Sequence, residues 1–157
     1  MKTSSLIAKH FREFHKGGNW TGTNLQETLN EVDWKVATST LQNINTIAAL
    51  VFHINYYMEA IIGVLNGGPL NAHDKYSYDL IPIDSEEDWN KLIEIVSKNA
   101  ENLEKSIEKF PDSNLTDIFS DEKYGNYYRN FHGMIEHCYY HLGQIVIIKK
   151  LLLQKIN

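Results

Sequence analysis

Apolar residues recur every three or four positions through four long stretches of the chain, and each stretch reads as an amphipathic helix. In the first, Leu6, Ile7, His10, Phe11 and Phe14 mark one face before Gly17-Gly18 stops the helix. A loop containing Asn19-Trp20-Thr21-Gly22 and a short turn near Leu25–Leu29 follow. Asp33 reads as the N-cap of a long second helix, from Trp34 to Leu65, closed by Gly67-Gly68-Pro69. Residues 69–84 form an extended loop. Asp84-Ser85-Glu86-Glu87-Asp88 is an acidic helix start with capping-box character. The third helix runs from there to about Lys109. Trp89, Leu92, Ile93, Val96, Ala100, Leu103, Ile107 and Phe110 make its single apolar stripe, over a charged back. Pro111 ends it, residues 112–125 are loop with one turn, and Tyr127 to about Lys155 is the fourth helix.

No βαβ alternation, glycine-rich phosphate loop or internal repeat interrupts this pattern. Four amphipathic helices predict an all-α chain, a single four-helix-bundle domain over residues 1–157. The long connections near 17–33 and 66–84 mean that an up-down-up-down order with tight turns is not required. The chain has 157 residues, enough for a sizeable core, and a net charge of −5 with both signs interspersed. A basic face of the kind that binds nucleic acid is therefore not expected. The first ten residues carry no apolar core of signal-peptide length. No apolar run approaches the roughly 20 residues of a membrane span, and Lys149-Lys150 interrupt the greasiest segment. Cys138 is the single cysteine and cannot form an internal disulfide. The expectation is a soluble cytoplasmic protein with neither nucleic acid nor membrane as partner.

The chemistry is concentrated in histidines. His137 and His141 lie four residues apart, within about 40° of each other around the fourth helix. Met134, Ile145, Ile148 and Leu152 continue their stripe, so both imidazoles point toward a core. A buried imidazole without a partner costs roughly 1–3 kcal/mol, and a divalent metal is the simplest solution two can share. His53 is placed in the same way in the second helix, on a face with Thr46, Ala49, Leu50, Tyr57, Ala60 and Val64. Small Ala49 and Ala60 leave space around its ring. Taken singly, His53 reads as a satisfied core histidine; three histidines on two core-facing stripes read as a metal site built between helices.

The spacing excludes other metal chemistries. A zincin needs a glutamate inside the histidine pair, whereas Cys138, Tyr139 and Tyr140 occupy those positions and Glu136 lies outside. Ferritin-like di-iron sites need Glu-x-x-His, and no glutamate here has a histidine three residues on. A mononuclear three-histidine site with open positions remains. His10 and His132 are weaker candidates, Cys138 reads as a buried core cysteine, and His73-Asp74 is only a loop dipeptide. Gln144 shares the His141 face and can hydrogen-bond a ligand, and Tyr57, one turn from His53, can line a pocket.

These residues resemble the DinB-like (DinB/YfiT-like) superfamily of metalloenzymes. The likeness rests on His53 within Ala49-Leu50-Val51-Phe52-His53-Ile54 and on His137 followed by Tyr140-His141-Leu142-Gly143-Gln144-Ile145. Trp89 at the start of the third helix and Lys123-Tyr124-Gly125-Asn126-Tyr127 before the fourth extend it over nearly the whole chain. The resemblance implies an up-down-down-up four-helix bundle and frequent homodimers. It also implies one divalent ion, zinc or nickel, held by His53, His137 and His141. Some relatives use low-molecular-weight thiols as co-substrates, which implies a metal-dependent transferase taking a small thiol and an electrophile. The alternative is a non-enzymatic, metal-stabilised binding or stress-response protein. Self-association also follows from the fourth helix itself, where Ile135, Tyr139, Val146, Ile147, Leu151 and Leu153 spread apolar surface beyond the histidine stripe. A twofold dimer with Lys149 or Lys150 at its rim would cover it; a long connection of the same chain would do so too.

Overall fold

The computed structural model describes the backbone of residues 2–156 and the side chains of residues 2–154. Its regular elements are six α-helices, α1 (Thr3–Lys16), α2 (Leu25–Asn30), α3 (Trp34–Thr38), α4 (Ile47–Leu65), α5 (Glu86–Lys109) and α6 (Tyr127–Ile156), with three single 3-10 turns between them. Among the described residues there is no β-strand, only the isolated bridges Leu41–Ile44 and Ile118–Asn126. Each of the four long helices packs against two others: α5 against α1 and α4, and α6 against α4 and α1.

The start of α5 matches its sequence signature. Ser85 Oγ accepts the Asp88 amide at 3.2 Å and donates to the Asp88 carboxylate at 2.6 Å. Trp89, Leu92, Val96, Ala100, Leu103 and Ile107 are buried as the stripe requires, with Ile93 and Phe110 half-buried against the core. Trp89 is fully buried, and its indole N–H donates to the Val32 carbonyl at 2.8 Å, tying α5 to the α2–α3 connection.

The expected single helix from Trp34 to Leu65 is two helices. Asp33 does cap it, accepting the Val36 amide at 2.8 Å, but α3 lasts only to Thr38. There the Thr38 hydroxyl donates to Trp34 O and the Ser39 hydroxyl to Lys35 O. These local bonds compete with helix continuation, and Ser39 is already extended. Gln42 adopts a left-handed φ of 52°, and Thr46 caps a fresh start by accepting the Ala49 amide at 3.2 Å. The segment from Thr38 to Thr46 thus re-aims α4, and with it His53.

The expectation that no apolar run approaches membrane-spanning length also needs correction. Helix α4, with 19 residues, is long and apolar enough by length and composition, although 56% of that window is buried inside the fold. It packs against α3, α5 and α6. On α6, burial is broader than one stripe. Phe131, Ile135, Cys138 and Leu142 are buried alongside Met134, His141, Ile145, Ile148 and Leu152. The chain itself therefore covers Ile135 and half-covers Tyr139, Val146 and Leu153, leaving Ile147 and Leu151 exposed. Lys149 turns inward, donating to Thr28 O at 3.0 Å and pairing with Glu31 at 2.6 Å, so it clamps α2 to α6.

Candidate metal centre

The three histidines singled out by spacing meet. Helix α4 carries His53 and α6 carries His137 and His141, and one nitrogen from each lies within 4.8 Å of the others. His53 and His141 are buried; His137 is half-buried. The closest pair is His53 Nε2 and His137 Nε2, 3.0 Å apart.

The far sides of two rings are occupied. His53 Nδ1 is 3.2 Å from the Ser77 carbonyl, and His141 Nδ1 is 2.6 Å from Gln144 Oε1. A carbonyl or amide oxygen only accepts, so each Nδ1 carries the proton and each Nε2 keeps its lone pair toward the centre. Metal-binding histidines are held in this way. The neighbouring rings fix orientation: Tyr78 stacks on His53 at 4.1 Å and 11°, while Tyr57 meets His53 and His137 edge-on at 5.1 and 5.0 Å. His137 Nδ1 is buried and has no hydrogen-bond partner among the described residues.

Electrostatics keep all three rings neutral. Burial first, and then the neighbouring His141 and His53, push His137 down to about 4. Burial and then His141 lower His53; burial lowers His141, against the opposing effect of its hydrogen bond to Gln144. Neutral imidazole is the form that ligates. Two nitrogens about 2.0–2.1 Å from one zinc stand about 2.9–3.4 Å apart at the usual angles, and the His53–His137 separation falls in that range. The three nitrogens, all within 4.8 Å of one another, can hold a metal ion, and imidazole donors suit zinc, nickel, copper or iron alike.

A cleft of about 700 Å³ opens beside the centre and reaches it at His137 and Tyr57. Ala60 lines it, as a small residue near His53 should, whereas Ala49 does not. The Tyr57 hydroxyl donates to Asp74 at 2.6 Å; burial, followed by that carboxylate, pushes the phenol up to about 12. The remaining candidates lie apart. His10 is exposed against Tyr139, and His73 is exposed against Tyr76. His132 packs on Tyr128 at the cleft wall. Cys138 is fully buried, and burial holds its thiol well above the usual range, so it is an unreactive core residue.

Sequence reasoning missed Ser77, Tyr78 and the role of Asp74, all in the 69–84 loop. Ser77 acts through its backbone carbonyl, which no residue type announces; Asp74 was visible only as half of a dipeptide. Compared with protein-family models, curated proteins and solved structures, the chain matches none.

Proposed function

We propose that this protein is a DinB-like metalloprotein in which His53, His137 and His141 hold one divalent ion, zinc or nickel. The observation that carries the reading is the convergence of three imidazoles, two with their outer nitrogens bonded to oxygen acceptors. An up-down-down-up four-helix bundle is the fold that goes with it, supported by the paired packing of the four long helices. Three ligands leave positions open, and the cleft reaches the centre at His137. A bound divalent ion supplies Lewis acidity, which lowers the pKa of a thiol presented to it. Transfer of a low-molecular-weight thiol to an electrophile is the reaction class favoured by the resemblance. Here the chain's own part is to orient the ligands through Ser77 and Gln144 and to shelter the reacting end beside Tyr57. A second reading, a metal-stabilised protein without turnover, has the burial of His53 and His141 in its favour.

Elemental analysis of untagged protein is the direct test. About one equivalent of metal is expected, lost in His137→Ala; full stoichiometry in that variant overturns the assignment. Screening thiols with electrophilic acceptors, with and without metal, then separates the two readings. Metal-dependent thiol consumption supports the transferase, whereas metal removal that only lowers the melting temperature supports the structural role. Self-association as a twofold dimer belongs to the same proposal, through Ile147 and Leu151 on α6.

A further inference from the structure

The cleft beside His137 is polarised along its length. Arg129 and His137 both line it and stand eight residues apart on α6, about 12 Å along the axis at the usual rise. Near His137 the charged groups are acidic: Glu136 beside it in sequence, and Asp74, bonded to Tyr57. At the other end is Arg129. Its Nη1 donates to the Tyr124 carbonyl at 3.1 Å, and its stem lies over Gly125, where a Cβ would come within 3.0 Å of Arg129 Cδ. The guanidinium is thus anchored with most of its donors free. Among the described residues no carboxylate lies within ion-pair distance of it. The rest of the wall includes Ile61, Leu70, Phe119 and Met134.

Gly133 sits on this wall in the interior of α6, a position where glycine weakens a helix. A Cβ there would meet nothing within 4 Å, so packing does not require glycine. The missing side chain leaves the middle of the cleft open.

We propose that the cleft binds an elongated apolar or aromatic carboxylic acid, its carboxylate on Arg129 and its far end against His137 and Tyr57. An arginine fork matches a carboxylate in geometry and charge. In the metal-free cleft Glu136 and Asp74 repel the anion from the opposite end, which sets the orientation there. This deepens the metal reading by naming the ligand class of the same site, and rests on that reading only for what happens at the far end.

Calorimetric titration of the chelator-treated full-length protein with 6-phenylhexanoate and its neutral counterpart 6-phenylhexan-1-ol tests it. The acid is expected to bind about tenfold more tightly than the alcohol, as a charge-assisted contact should give. Arg129→Gln is expected to erase that difference while leaving the alcohol unchanged. Gly133→Leu is expected to weaken both ligands about tenfold or more, without lowering the melting temperature, because the new side chain fills open space. Equal affinity for acid and alcohol, no binding of either, or an acid preference that survives Arg129→Gln overturns the proposal. A zinc titration of the same preparation keeps the two readings separate. Zinc bound without acid binding sinks only the cleft proposal, and acid bound without zinc binding sinks only the metal site.

Discussion

His137 Nε2 lies 3.0 Å from His53 Nε2, although the two residues are 84 positions apart in the chain. Ser77 holds the proton of His53 on its other nitrogen. The lone pair of His53 therefore faces His137, and a proton or a cation has to lie between the rings.

Gln144 positions His141 and contributes no ligand of its own, so it can be altered without removing a donor. Gln144→Leu is expected to weaken zinc affinity about 10–100-fold, the usual effect of losing an outer hydrogen bond to a ligand, while the fold stays intact. Competition with a colorimetric chelator measures this. Unchanged affinity would show that the 2.6 Å contact with His141 Nδ1 does not orient the ring.

Acid should destabilise the metal-free protein. His53, His137, His141 and buried His15 all have pKa values below the ordinary 6.5, mainly through burial, with His137 at about 4. Between those values the unfolded chain binds protons that the native state refuses, so stability falls as pH falls. It is fully present above pH 6.5. Urea midpoints of chelator-treated protein at pH 7, 6 and 5 should therefore decrease in that order, a window chosen because it lies largely above carboxylate titration. A flat profile contradicts the buried-neutral assignment.

Trp89→Phe removes the indole donor from the Val32 carbonyl and leaves a gap at a fully buried position. The expected loss is about 2–3 kcal/mol in urea unfolding, from the unpaired carbonyl plus the cavity. A loss under about 0.5 kcal/mol would mean that water or local repacking replaces the bond.

Tyr57→Phe keeps the ring against His53 and His137 but frees Asp74. Amide hydrogen exchange over residues 73–78 should quicken, since that hydroxyl is a tie between α4 and the loop carrying Ser77. The Tyr56 hydroxyl, which accepts from His73 N–H, is a second tie and should keep the loop from opening completely. Exchange indistinguishable from wild type would assign the ordering to Tyr56 alone.

Light scattering across a dilution series tests the proposed dimer. A twofold mass that Ile147→Asp reduces to the monomer is expected, because Ile147 is 60% exposed on α6. A monomer at every concentration removes the dimer and leaves the apolar residues of α6 as ordinary surface.

Local chemistry made much of this protein legible. The α5 cap at Ser85, its stripe from Trp89 to Ile107, the extent of α6 and the pairing of His137 with His141 all follow from period and capping, because each depends on neighbours within a turn or two. So did the placing of Gln144 beside His141, which is a single-turn relationship. What sequence could not show was where α3 ends. The hydroxyls of Thr38 and Ser39 fit either a helix interior or a stop, and Thr46 becomes a cap only once Gln42 has turned the chain. That turn sets the direction of α4 and hence the approach of His53 to His137. The Ser77 carbonyl, the Tyr57–Asp74 bond and the cleft between Arg129 and His137 were likewise decided only by tertiary structure. Backbone acceptors carry no side-chain signature, and an open space is a property of surrounding elements that no single stretch of sequence contains.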